Sequence, residues 1–141
     1  MNVELVTRAR DGDQDAFREL VEPYRRELQL HPKEFKAAFN LSRLYERLGN
    51  RKGEIDALRE SVAANDAFAE GYLYLARACL NGGDLDEAAA MARKGLDLDP
   101  RSRQAPLGHY VLADVFSKRG RLAEAQRELA AGRAAEARAR P

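Results

Sequence analysis

Apolar residues recur along this chain at three- and four-residue steps, interrupted at regular intervals by glycine and proline. Tyr72, Leu75, Ala76 and Cys79 share one helical face, and Ala88, Ala92 and Leu96 share another a little further on. Between the two stripes stands Gly83-Asp84. Gly83 is free to take a positive φ after the first helix, and Asp84 is suited to cap the second, with Glu87 placed to complete a capping box. Near the start, Ala16, Phe17, Leu20, Val21, Tyr24 and Leu28 form a stripe of the same kind. The pattern predicts pairs of amphipathic helices joined by short glycine turns.

The pairs recur on a fixed ruler. Pro32, Asp66 and Pro100 stand 34 residues apart in succession, as do Leu41 and Leu75. Gly12, Gly49, Gly83 and Gly120 follow at steps of 37, 34 and 37. The three extra residues fall before Pro32 and in the loop "RSRQAPLG" after Pro100. A 34-residue period is that of the tetratricopeptide repeat. Residues 33–137 resemble that family. The clearest unit, residues 67–100, carries Tyr72, Leu75, Ala76, Cys79, Ala88, Ala92 and Pro100 at the family's spacing. Residues 33–66 match at Ala38, Leu41, Ser42, Tyr45 and Leu58, but Glu54 occupies the place of a small alanine, which Gly53 is positioned to replace. Residues 104–137 match at His109, Leu112, Ala113, Phe116, Ala125 and Leu129, with Pro106 read as the first residue of its helix. The resemblance implies an all-α fold, a right-handed superhelical stack of antiparallel helix pairs of the TPR-like α-solenoid type.

Residues 8–31, "RARDGDQDAFRELVEPYRRELQLH", resemble the start of region 2 of the extracytoplasmic-function sigma factors. That likeness stops at His31, where the repeats begin; an abrupt join of this kind also fits a chimeric chain. The segment carries five arginines against six acids, so it has no basic footprint for a phosphate backbone. Residues 1–31 are therefore expected to be a helical hairpin that caps the array. Pro23 is expected to kink its helix or to start a new one.

Composition narrows the function. A net charge of +1 gives no field toward nucleic acid or acidic membranes, and no apolar run is long enough to span a bilayer. The single cysteine, Cys79, excludes an internal disulfide and suits a reducing compartment, so a cytoplasmic setting is expected, and the family resemblances imply a bacterial one. His31 and His109 are not at ligand spacing, the glycines mark turns rather than a phosphate loop, and the carboxylates alternate with lysine and arginine. No catalysis, cofactor or metal is expected.

By the family's geometry, the first helices of the repeats line a concave face. The residues placed there are Lys36, Phe39, Asn40, Arg43 and Arg47 in the first repeat. The second contributes Leu73, Tyr74, Arg77 and Asn81, and the third Tyr110, Asp114 and Lys118. Arginines at equivalent places suit an acidic partner, and the aromatics suit apolar anchors. The expectation is a non-catalytic scaffold that binds a peptide segment or a partner protein. Two other readings are a transcription-associated factor whose first helices contact RNA polymerase, and a homo-oligomer formed through the C-terminal helix.

Overall fold

The computed structural model describes residues 2–140, which form eight α-helices and no strand among the described residues. They divide into two compact units, one ending at Asp66 and the other starting at Ala67.

The first unit holds α1 (Val3–Arg10), α2 (Gln14–Leu30), α3 (Phe35–Arg47) and α4 (Arg51–Ala64). The second holds α5 (Ala69–Asn81), α6 (Leu85–Leu98), α7 (Ala105–Lys118) and α8 (Leu122–Ala139). The bounds of α3 and α4, moved by 34 residues, reproduce those of α5 and α6.

One turn chemistry joins most pairs. After α5, Gly83 takes φ +88°, its N–H donates to Leu80 O, and the Asp84 N–H donates to Cys79 O. These two bonds satisfy carbonyls that the helix end leaves open, and glycine bears the left-handed φ without a Cβ penalty. The Asp84 carboxylate then accepts from the Glu87 N–H at 3.0 Å, so one residue closes one helix and opens the next. Asn50 repeats the arrangement before α4, and Asp13 before α2, with Gly49 and Gly12 at positive φ. Arg121, before α8, differs: it pairs with Glu124 instead of capping the backbone.

In the first unit, Leu41 and Leu44 of α3 and Leu58 of α4 are at most 1% exposed. Each such burial contributes about 1.5–3 kcal/mol. Val21 and Leu28 of α2 join that core, with Phe17, Leu20 and Tyr24 packed at its edge, so the expected stripe of α2 is the buried one. Gly53 takes the close contact that Glu54 cannot: a Cβ on Gly53 would lie 2.7 Å from the Tyr45 ring. Glu54 is itself buried.

Pro23 does not start a new helix. It sits inside α2, which is continuous from Gln14 to Leu30. Both Pro23 and Glu19, whose carbonyl loses its helical donor to the proline, face solvent, so water can satisfy the freed acceptor.

The charges of residues 8–31 tie this hairpin to its neighbours. Arg10 donates from Nε and Nη2 to the Arg47 carbonyl at 3.0 and 2.5 Å, closing the C-terminal end of α3. Arg25 reaches Glu60 of α4 at 3.1 Å and the Tyr45 hydroxyl of α3 at 3.2 Å. Arg8 pairs with Asp13 at 2.7 Å across the α1–α2 turn.

In the second unit α7 packs against both α5 and α6. Leu73, 0% exposed, is wedged between two glycines: Cβ atoms on Gly95 of α6 and Gly108 of α7 would come within 2.6 and 2.7 Å of it. Three helices thus meet around one leucine. His109 and Glu128 join α7 to α8 at 2.8 Å, and Arg119 binds Asp86. Pro106 is the second residue of α7, after Ala105 and the N-cap Gln104, and its missing N–H costs nothing in a first turn.

Candidate interaction groove

The second unit carries an open groove of about 460 Å³. Arg77 and Leu80 come from α5, Leu107, Tyr110, Val111 and Asp114 from α7, and Leu122 and Leu129 from α8. Helical spacing explains the convergence. Residues 107, 110, 111 and 114 form one stripe of α7, while Leu122 and Leu129 lie two turns apart on α8. Leu122 is 64% exposed, a large apolar side chain left on the surface.

The electrostatics around the groove are local. The Arg77 guanidinium lies 5.0 Å from the centre of the Tyr74 ring, within cation–π range. Asp114 pairs with Lys118 at 3.6 Å, one turn along α7. The Tyr110 hydroxyl donates to Glu136 at 2.6 Å, and that hydrogen bond holds the phenol above its ordinary ionisation range. Its ring lies against Gly132, where a Cβ would collide with it.

Three residues expected on the concave face from the family's geometry, Arg77, Tyr110 and Asp114, thus line one groove. Leu73 does not belong on such a surface: Gly95 and Gly108 enclose it, so it is core. Tyr74 is half-buried under Arg77, and Asn81 and Lys118 are exposed. In the first unit, Lys36, Asn40 and Arg47 of α3 are exposed, while Phe39 and Arg43 are half-buried and Arg43 lies 3.5 Å from Glu46. The leucines of the groove, Leu80, Leu107, Leu122 and Leu129, escaped sequence reasoning as site residues. Leu129 reads as a repeat core position, and only the exposure of Leu122 seven residues earlier signals a surface stripe.

Among the described residues no group of three or more His, Cys, Asp or Glu could hold a metal ion, and no helix is long and apolar enough to cross a membrane. Cys79 is buried, and His109 is bonded to Glu128.

The tetratricopeptide repeat family model matches residues 69–94 and 106–131, the two hairpins of the second unit. These two hairpins are similar to tetratricopeptide repeats. The fold is all-α and tetratricopeptide-like. Solved structures share it: a MamA protein has a TM-score of 0.72 at 20% identity over 87% of this chain. MamA 41-end from Desulfovibrio magneticus RS-1 gives 0.70 at 23% identity, covering 94% of this chain and 71% of that one. A MamA of AMB-1 gives 0.65 at 25% identity, covering 89% and 71%. This chain spans 63% of the length of the first of these. No curated protein matches the sequence. Stacked repeats of this type present extended surfaces of the kind that bind other proteins.

Proposed function

We propose that this protein is a non-catalytic scaffold that holds a segment of a partner protein in the groove formed by α5, α7 and α8. One observation carries the reading. Arg77, Tyr110 and Asp114, which the geometry of the resembled family assigns to a binding face, line a single groove with four leucines. A mostly apolar hollow with a few charged groups at its edge suits an apolar side chain flanked by an acid. Arg77 is the residue for that acid, through a charge-assisted hydrogen bond. Helices α1 and α2 serve as a lid on α3 rather than as a polymerase contact, because Arg8, Arg10 and Arg25 are engaged within their own unit.

The test compares proteins captured by the full chain with those captured by Leu129→Arg and Arg77→Glu, each checked for native helicity by circular dichroism. A true partner is retained by the parent and lost with Leu129→Arg. Arg77→Glu weakens it about tenfold, the worth of one hydrogen bond to a charged group. Identical capture by all three chains refutes the groove.

A further inference from the structure

The second unit contains a worked example of what its groove receives. A step of 37 residues carries the first hairpin onto the second: Leu73 becomes Tyr110, Gly95 becomes Gly132, and the α6 stripe Leu85, Ala89, Ala92, Leu96 becomes Leu122, Gln126, Leu129, Arg133. In the first hairpin α7 covers this surface, and its Gly108 closes over Leu73 and Leu96. Ala92 and Leu73 are accordingly 0% exposed. In the second hairpin Tyr110 rests on Gly132 as Leu73 rests on Gly95, yet it is only partly buried and lines the open groove. Leu122 and Leu129 continue the same unfilled seat, and both line the groove. It is half of an interlock.

The one change of chemistry is at the end of the stripe. Where Leu96 meets the glycine of the incoming helix, the second hairpin has Arg133, which is exposed and makes no hydrogen bond or ion pair among the described residues. Glu136, its neighbour one turn on, is committed to the Tyr110 hydroxyl. A helix arriving in the manner of α7 therefore meets a cation where α7 meets a methyl group.

We infer that the occupant of the groove is an amphipathic α-helix of a partner protein, with a glycine or alanine over Tyr110 and a carboxylate facing Arg133. This rests on the groove being the binding site. The small residue is a steric requirement, because Tyr110 is pinned from below by Gly132 and from its hydroxyl by Glu136. The carboxylate sets orientation, since only one direction of the helix brings it to Arg133.

The probe is a peptide of residues 104–118, the helix that fills the equivalent seat, held helical by a lactam between its Asp114 and Lys118. In α7 this pair is already 3.6 Å apart and exposed. It is titrated into the isotope-labelled full chain and followed by NMR. Shifts are expected at Tyr110, Leu122 and Leu129. Replacing Gly108→Leu in the peptide should weaken binding tenfold or more. Replacing Gln104→Glu, one turn from Gly108 on the same face, should tighten it about threefold, as an exposed ion pair does. Arg133→Gln in the protein should abolish that gain.

Indifference to Gly108→Leu, or shifts confined to other helices, overturns the inference. Equal affinity of the parent peptide and its Gln104→Glu variant overturns the carboxylate. If no helical peptide binds while Leu129→Arg still loses a captured protein, the helical occupant falls and the groove stands. If neither responds, both fall.

Discussion

Gly95→Ala separates two opposing effects of known size. Gly95 lies inside α6, where alanine should be the better residue by about 1 kcal/mol on helix propensity. The new methyl, however, would sit 2.6 Å from Leu73 Cδ2, 2.7 Å from its Cγ and 3.1 Å from the Ala69 carbonyl oxygen. Leu73 has no room to retreat, since Gly108 of α7 closes its far side at a similar distance. Overpacking of this kind costs about 1–3 kcal/mol, and forcing apart three helices belongs at its upper end. The balance is a net loss of about 1–2 kcal/mol.

Urea denaturation followed by circular dichroism measures it, with Gly53→Ala and a surface Ser117→Ala as comparisons. A double-mutant cycle identifies the cause. Leu73→Ala alone leaves a void and costs about 2–5 kcal/mol, but together with Gly95→Ala part of the void is filled. The pair should therefore cost less than the sum of the singles by about 1 kcal/mol or more. A neutral or stabilising Gly95→Ala, or strict additivity of the pair, would show that Leu73 is not wedged between α6 and α7.

Gly83→Ala tests the turn instead of the core: nothing lies within 4 Å of its would-be Cβ, so only the positive φ is penalised, and the loss should be about 1 kcal/mol, with Gly83→Asn losing less. The Asp13 carboxyl is held below its ordinary range by the Ala16 N–H and then by Arg8. A depressed carboxyl stabilises the folded chain above its unfolded value, and that help fades as pH falls through the folded value. NMR titration should thus place Asp13 below the usual value of about 3.9, and Asp13→Asn should flatten the acid limb of unfolding at this turn. Tyr110→Phe removes the hydrogen bond to Glu136 but keeps the ring on Gly132. A small loss of stability in thermal or urea unfolding is expected, with retention of the groove by NMR.

Much of the helical architecture was legible because the repeat writes the same local rules several times. Apolar steps of three and four mark faces, and glycine marks the turn within each hairpin with a capping side chain usually beside it. Those rules act within a few residues, so spacing alone locates them. The candidate site was legible only in part. Arg77, Tyr110 and Asp114 follow from equivalence between repeats, but Leu73 stands at the same equivalence as Tyr110 and is buried. Identical register gives opposite exposure because α7 covers one and no following helix covers the other in this unit.

Residue spacing was enough for the period of the hairpins and for the glycine turns with Asp84 as a cap, and the resemblance to a repeat family carried the all-α class. Packing between helices was needed to settle that Pro23 stays inside a continuous helix, that Arg8, Arg10 and Arg25 are spent on α3, α4 and their own turn, and which leucines face solvent. The physical reason is range. Turns and caps are settled by hydrogen bonds between near neighbours, whereas burial depends on which distant helix arrives to cover a face, and one glycine, Gly108, decides that for Leu73.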